Sequence, residues 1–214
     1  MQLLSSGILA ILIGYLIGSI PAAYIIVKLS SQRDIRLAGS GNVGALNSFQ
    51  VTRKKWVGIA VLLFDVCKGA AAVVVASRFE QSGYPIQALA GLSAIVGHDF
   101  NIWLRFRGGR GLATALGVML LLGSIFPLVW CLLWYITYKI WRNVLGGNVV
   151  ATIITPVLLF FLPRSWVEVS LWTPVQWNEM IWLCTALCVL ILLRHVDFIR
   201  GLIHTKRGQS SSDQ

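Results

Sequence analysis

Residues 7–27 read GILAILIGYLIGSIPAAYIIV, a stretch without a charged side chain. As a helix rising roughly 1.5 Å per residue it would cover about 31 Å, the thickness of the hydrocarbon core of a bilayer. Further apolar stretches follow at 56–77, 84–97, 112–138, 143–163 and 180–193. This pattern predicts an all-α integral membrane protein whose first span is the quoted stretch.

Composition supports a membrane protein over a soluble or nucleic-acid-binding one. Of the 214 residues, 57% are hydrophobic and 12% are charged, whereas soluble domains have roughly 25% charged residues. The net charge is +10, but the basic residues lie in short clusters between apolar stretches, as the positive-inside rule expects. The N-terminal MQLLSS lacks the positive start of a cleavable signal peptide, so we expect the first span to be retained.

The stretch 112–138 decides the topology. It is long for one span, and Gly123 and Pro127 interrupt it. If it crosses once, the basic Lys139/Arg142 loop lies opposite the other basic loops, whereas a hairpin at about 123–127 puts nearly all of them on one face. We therefore predict about seven transmembrane helices, with the N-terminus outside and the C-terminus in the cytoplasm. Residues 1–207 form a single polytopic domain in this interpretation, and 208–214 (GQSSSDQ) a disordered tail.

Three polar stretches interrupt the apolar sequence, all on the predicted cytoplasmic face. They are AGSGNVGALN at 38–47, GHDF at 97–100 continuing to FRGGRGLAT at 106–114, and the pair Arg194-His195. Glycine-rich backbone beside arginine is the chemistry of phosphate binding. The stretches therefore predict a membrane enzyme for a small phosphorylated substrate. Ordinary loops with capping residues and topology-setting charges are the alternative.

Each stretch contributes candidate side chains and also excludes mechanisms. Arg107 and Arg110 flank two glycines ahead of a helix start at Thr114, an arrangement suited to clamping a phosphate. The spacing of an ATP-binding P-loop is absent. No GxSxG elbow surrounds a serine, and Ser40 has no base partner in the sequence, which disfavours a covalent serine mechanism. The four cysteines lie in apolar stretches without metal-ligand spacing, so no metal site is expected.

Titratable residues inside or next to the apolar stretches form a second group of candidates. His98-Asp99 and His195 with Asp197 are possible acid/base groups, although a histidine at a membrane boundary is often a hydrogen-bonded interface residue. Asp65 and Lys68 lie at i, i+3 inside 56–77. We expect a structural ion pair there, with a part in catalysis as the alternative.

Taken together and in order, these motifs resemble the bacterial acyl-phosphate:glycerol-3-phosphate acyltransferase family, PlsY. The resemblance rests on GSIP at 18–21, GSGNVGA at 39–45, DVCKG at 65–69, GHDF, FRGGRGLAT and Arg194-His195. It implies a seven-helix enzyme of the bacterial inner membrane with a cytoplasmic active site. It also implies acyl transfer from acyl phosphate to the 1-hydroxyl of glycerol 3-phosphate, giving lysophosphatidic acid for phospholipid synthesis, without a metal or other cofactor.

The resemblance also assigns roles to residues of this sequence. Catalytic roles fall to Ser40, Arg110 and His195, whereas supporting roles for Asp65, Lys68 and His98 are expected from their place in or beside apolar stretches. Substrate or phosphate binding falls to a larger set, which is Gly39, Gly41, Asn42, Gly44, Asn47, Arg107, Gly108, Gly109, Gly111 and Thr114. The expected partners are the two substrates and membrane lipids, with no nucleic acid.

The sequence departs from the family pattern at several positions. Arg110 replaces a lysine, and Gln50 replaces an arginine for which Arg53, one helical turn on, is a candidate substitute. The other departures are Leu46, Asn101, Phe198 and Gly201. Two hypotheses therefore stay open: an active acyltransferase, or a diverged member that binds a phosphorylated lipid or partner, or acylates another acceptor, with little such activity. A transporter is a third class, disfavoured because the polar residues gather at one face.

Overall fold

The computed structural model describes residues 2–169 and 175–201, and within these ranges the backbone is helical, with no strand. The helices are α1 (Gln2–Gly18), α2 (Ala22–Ser31), α3 (Ala45–Thr52), α4 (Lys55–Ala76), α5 (Tyr84–Asp99), α6 (Leu112–Leu122), α7 (Ile125–Trp141), α8 (Val144–Phe161), α9 (Arg164–Val169) and α10 (Trp177–Leu193). Short 3₁₀ turns lie at Ile35–Leu37 and Ile102–Leu104. The tail predicted at 208–214 lies outside the described residues.

The predicted all-α membrane class is confirmed. Three helical segments are long and apolar enough to cross a membrane, namely Gln2–Ser31, Lys55–Ala76 and Val144–Phe161. The helices α6, α7 and α10 are shorter apolar helices. The first segment is not one continuous helix, because α1 ends at Gly18 and α2 starts after Pro21. Proline has no N–H to donate to the preceding turn, so the helix restarts there.

The break predicted in 112–138 is confirmed at Gly123. The helix α6 ends at Leu122 and α7 begins at Ile125, so two separate helices replace one long one. Pro127 lies in the first turn of α7, where its missing N–H has no intrahelical acceptor to lose. The residue that breaks the helix is therefore the glycine rather than the proline.

Glycines bring the backbones of two helix pairs into contact. A Cβ on Gly18 of α1 would overlap the carbonyl of Ala94 on α5. On the α4–α6 pair, a Cβ on Gly69 would overlap the carbonyl of Thr114, and one on Gly117 would overlap that of Val66. Lipid gives little hydrophobic drive for helix association, so close backbone approach supplies van der Waals contact instead. These contacts bring the start of α6 beside the middle of α4.

Two clusters of buried apolar side chains pack the helices whose ends bear the polar loops. One joins α5, α6, α8 and α10 through side chains such as Ile95, Met119, Leu159 and Leu187. The other packs Val43, which belongs to the loop of residues 38–44, against Val27, Ile35, Val57 and Val61. Because the first cluster draws the ends of α5 and α10 and the start of α6 together, the polar stretches at those ends meet.

Candidate active site

Asn47 holds the glycine-rich loop of residues 38–44 in place. Its Nδ2 donates to the carbonyls of Asn42 at 2.8 Å, Ala38 at 3.1 Å and Ile35 at 3.3 Å. Its Oδ1 accepts the N–H of Ser40 at 3.0 Å, and the residue is 1% exposed. The amide of Asn47 is therefore occupied by the loop itself, so its role is to position the loop.

Two glycines of this loop adopt a conformation that other residues avoid. Gly39 has φ +61° and Gly41 has φ +71°, both in the left-handed region. A Cβ on Gly39 would also overlap Oδ1 of Asn47. With the backbone turned in this way, Ser40 and Asn42 line a cleft instead of packing inside the protein.

Two backbone N–H groups of the arginine turn, residues 105–111, are bonded to the end of α5. Gly108 donates to the carbonyl of Asp99 and Gly109 to that of His98, both at 3.1 Å. These two N–H groups are therefore already bonded. Neither N–H group is free for a phosphate in this conformation, and phosphate binding by Gly108 and Gly109 stays a prediction.

Arg194, just beyond α10, holds the same turn from the other side. Its Nε donates to the carbonyl of Gly109 at 3.0 Å and its Nη2 to that of Gly108 at 3.4 Å. The guanidinium also lies 5.3 Å from the ring centroid of Phe100. The end of α10 is thus fastened to the arginine turn.

A polar cleft of about 300 Å³ opens between the glycine-rich loop, the arginine turn and the end of α10. Its walls contain four arginines and one carboxylate. The lining residues are Arg36, Ser40, Gly41, Asn42, Phe106, Arg107, Gly108, Arg110, Leu193, Arg194 and Asp197. Six of the residues that were given catalytic or binding roles from the sequence therefore come together, and the excess of positive charge suits the cleft to an anion.

The four arginines of the cleft differ in how they are held. Arg36 forms a two-pronged ion pair with Asp34, with Nη2–Oδ2 at 2.6 Å and Nε–Oδ1 at 3.0 Å. This hydrogen-bonded pair lowers the pKa of Asp34 and raises that of Arg36. Within residues 2–169 and 175–201, the side chains of Arg107 and Arg110 have no hydrogen-bond partner, so their guanidinium groups are available to a ligand.

Arg110 sits in an environment that disfavours its own charge. Partial burial lowers its pKa, the nearby Arg194 lowers it further, and Asp197 acts in the opposite direction. An anion bound in the cleft would offset this unfavourable environment. The arrangement thus holds positive charge ready for a negatively charged ligand.

His195 lies behind the cleft and does not line it. It is 1% exposed, its Nδ1–H donates to the carbonyl of Ile191 at 2.8 Å, and its Nε2 accepts from Nδ2 of Asn148 at 3.2 Å. Burial lowers its pKa, with Arg110 and Arg194 acting in the same direction and the Ile191 bond against it. Its ring links α8 to the end of α10, while a catalytic role for it stays a prediction.

Other predicted residues lie beneath the cleft. Thr114 is fully buried, and its hydroxyl has no hydrogen-bond partner among the described residues. Gly111, with φ +70°, packs against the carboxylate of Asp99. Gly44 precedes α3 as its N-cap. Asp65, Lys68 and His98 form a buried cluster that does not reach the cleft, and the predicted ion pair is confirmed at 2.8 Å.

The departures from the family pattern fall mostly outside the cleft. Gln50 and Arg53 are exposed and do not line it, so nothing supports Arg53 as a replacement. Asn101 is buried, donates to the carbonyl of Ser19 at 2.6 Å and accepts the N–H of Trp103 at 3.1 Å. Arg36 was not among the site residues expected from the sequence, and its signal there was one more arginine close to the glycine-rich loop. Asn148 was also not among them, and its signal was an amide within an apolar stretch.

An apolar groove of about 170 Å³ starts beside the cleft. Leu112 and Ala113 at its near end follow the arginine turn directly, and Ile191 lies one turn before Arg194. From there the groove extends along α6 by roughly 10 Å to Met119. The lining is Leu62, Leu112, Ala113, Ala115, Leu116, Met119, Phe126, Pro127, Trp130, Cys131 and Ile191. A cationic cleft and an apolar groove therefore adjoin.

Comparison with known proteins identifies the family. The family model described as glycerol-3-phosphate acyltransferase matches residues 8–205. The chain belongs to this family. A glycerol-3-phosphate acyltransferase of Rhodopseudomonas palustris is 44% identical over 156 residues, covering 72% of this chain and 77% of the relative. One from Agrobacterium fabrum is 39% identical over 171 residues, covering 79% and 82%.

Solved structures of the family share the fold. The crystal structure of PlsY (YgiH), an integral membrane glycerol 3-phosphate acyltransferase, in its glycerol 3-phosphate form is 29% identical with a TM-score of 0.73. The lysophosphatidic acid form of PlsY is 28% identical with a TM-score of 0.72. Each match covers 94% of this acyltransferase-family chain and 93% of the PlsY chain. The chain is thus an integral membrane member of the family along nearly its whole length.

Proposed function

We propose that this protein transfers the acyl group of an acyl phosphate to the 1-hydroxyl of glycerol 3-phosphate, forming lysophosphatidic acid and inorganic phosphate. The observation that carries the proposal is the apolar groove that adjoins the arginine-lined cleft. An acyl phosphate has an anionic head on an apolar chain, so the two halves of the site match the two halves of this substrate. Family membership supplies the acceptor.

The reaction needs room for two phosphates, and a second polar cavity adjoins the cleft. It has a volume of about 270 Å³, and Arg36 and Arg107 line it as well as the cleft. Its other lining residues are Asp34, Leu37, Leu104 and Arg105. Guanidinium groups shared by two neighbouring pockets bring two phosphate-bearing substrates together. The hydroxyl of Ser40 and the amide of Asn42 offer hydrogen bonds to the glycerol hydroxyls.

Positioning and charge stabilisation are the main contributions of the protein to this chemistry. The 1-hydroxyl oxygen attacks the acyl carbon, the bond from that carbon to the phosphate oxygen breaks, and the hydroxyl proton passes to the leaving phosphate. Arg107 and Arg110 stabilise the charge that develops on the acyl oxygen and the departing phosphate. Ser40 acts as a hydrogen-bonding group and not as a nucleophile, because both ring nitrogens of His195 are bonded elsewhere.

The topology proposed with this function has about seven spans, the N-terminus outside and the C-terminus in the cytoplasm. The break at Gly123 supports two spans in place of one long span. Basic loops between the spans then lie on one face together with the arginine cleft, as the positive-inside rule favours. The active site proposed here lies at the cytoplasmic face of a bacterial inner membrane, where soluble glycerol 3-phosphate can enter.

The test is acyl transfer by the purified protein in lipid vesicles. Phosphate release from an acyl phosphate is expected to depend on glycerol 3-phosphate and to be matched by lysophosphatidic acid formed. Arg110→Ala is the loss-of-function variant, and Arg53→Ala is the matched arginine control outside the cleft. If the wild-type protein binds glycerol 3-phosphate but transfers no acyl group, the proposal is refuted in favour of a diverged binding protein.

A further inference from the structure

A buried polar cluster beneath the arginine turn has no part in the mechanism proposed above. It consists of Asp65 and Lys68 on α4 and His98 on α5, whose side chains are 3%, 3% and 7% exposed. Nζ of Lys68 lies 2.8 Å from Oδ1 of Asp65 and 2.7 Å from Nδ1 of His98. Charged groups are costly inside a membrane protein and are usually tied to its function.

Lys68 determines which nitrogen of His98 carries the proton. An ammonium group has three N–H donors and no acceptor. The three partners here are Oδ1 of Asp65, Nδ1 of His98 and, at 3.4 Å, the carbonyl of Ile20. Nδ1 of His98 therefore accepts a hydrogen bond, and the ring proton of the neutral imidazole lies on Nε2. One tautomer and one orientation of the ring follow from this contact.

The opposite edge of the His98 ring touches the arginine turn. A Cβ on Gly109 would overlap the ring, and its nearest atom would be Nε2. The carbonyl of His98 also accepts the N–H of Gly109 at 3.1 Å. The carbonyl and the ring of His98 thus both contact Gly109 on the buried side of the turn. Arg194 donates to the Gly109 carbonyl from the opposite side.

The turn needs such support because its backbone is unfavourable. Arg105 has φ +55° and Phe106 has φ +61°. Residues with a Cβ seldom adopt these values, which persist where surrounding contacts impose them. Gly109 lies between Arg107 and Arg110, whose side chains are free for a ligand. The contact that fixes Gly109 therefore also fixes the backbone positions from which these two side chains extend.

We propose that the Asp65–Lys68–His98 cluster is a positioning device for the arginine turn. Lys68 holds the His98 ring in one tautomer, and the ring sets the place of Gly109 and with it the spacing of Arg107 and Arg110 around a phosphate. These residues act through the turn and do not touch the substrate. The inference rests on the proposed function only for the identity of the phosphate compound.

A double-mutant cycle between His98→Ala and Gly109→Ala tests the proposal. Binding of glycerol 3-phosphate, and of inorganic phosphate as a second probe, is measured by calorimetry on the purified full-length protein. Each single change is expected to raise Kd about tenfold to a hundredfold, the loss that small misplacements of a site cause. The double variant is expected to bind no more weakly than the weaker single variant, because both changes act through one contact.

Controls separate positioning from general damage. Thr155→Val changes a fully buried polar side chain elsewhere, whose hydroxyl is bonded within α8. This variant is expected to leave Kd unchanged. If His98→Ala does not fold, His98→Asn replaces it, since an amide oxygen can still accept from Lys68 while the ring contact with Gly109 is lost. Unchanged binding in the His98 variant, or losses that multiply in the double variant, would overturn the proposal. Binding without turnover refutes the proposed function alone.

Discussion

Replacing Arg110 by alanine is expected to lower kcat/KM while leaving the fold at least as stable. Arg110 lines the cleft and, within the described part of the chain, has no hydrogen-bond partner that its removal would leave unsatisfied. Burial and the neighbouring Arg194 disfavour its charge, which the lowered pKa reports. Its removal therefore relieves an unfavourable interaction in the empty protein and deletes a favourable one with bound phosphate.

The expected size of the loss follows from the kind of bond. A charge-assisted hydrogen bond contributes about 1.5–3 kcal/mol, which corresponds to roughly 10- to 150-fold in kcat/KM. Arg110→Lys keeps the charge but not the two-pronged geometry, so we expect a smaller loss. Arg53→Ala, which removes an exposed arginine outside the cleft, is expected to change little.

The assay follows initial rates of phosphate release at several glycerol 3-phosphate concentrations, together with a thermal melt of each purified variant. For Arg110→Ala we expect kcat/KM to fall while Tm stays unchanged or rises. Such a result is typical of a site where function is obtained at the expense of stability. A variant that melts several degrees earlier would show that Arg110 supports the fold. Full activity in a stable variant would remove Arg110 from the site.

Three further results are expected. Asn47→Ala should lower the free energy of unfolding by about 2–4 kcal/mol, since its amide makes several loop hydrogen bonds of about 1 kcal/mol each; equal Tm values for both proteins would contradict this. Because burial depresses the pKa of His195, the unfolded chain binds a proton that the folded chain does not, so stability is expected to fall as pH drops below about 6.5. His195→Gln should weaken that pH dependence, and an unaltered Tm profile would refute the reasoning. Met119→Trp should narrow the far end of the apolar groove and lower kcat/KM for long-chain acyl phosphates about tenfold while sparing short ones. The control is Leu120→Trp, at a neighbouring residue that is 43% exposed and outside the groove lining. An equal loss of kcat/KM for every chain length would count against this role of the groove.

The sequence predicted the helical class, the break near Gly123 and the meeting of the polar stretches. These depend on composition, on helix length and on the cost of polar groups in lipid, all of which can be read locally. Gly39 and Gly41 adopt the positive φ that glycine permits, whereas Gly44 of the same loop does not. The Asp65–Lys68 ion pair could be predicted because both residues lie on one face of one helix.

What sequence could not supply was the direction in which each group points. Asn47 was expected to bind substrate and His195 to act in catalysis, yet hydrogen bonds to neighbouring elements occupy both side chains. The N–H groups of Gly108 and Gly109 donate to the carbonyl end of α5, a partner fixed only by tertiary packing. Arg36 enters the cleft because Asp34 holds it, and its distance in sequence from the arginine turn concealed this.

The glycines at the α1–α5 and α4–α6 contacts are expected to tolerate substitution poorly, although glycine is usually an unfavourable residue within a helix. From helix propensity alone, Gly14, Gly18, Gly69 and Gly117 would be weak points that alanine should improve. Because an added methyl group at each would collide with a neighbouring main chain, even that smallest enlargement should force two helices apart. Neutral drift should therefore concentrate on the lipid-facing surface, whose bulky side chains can be exchanged freely.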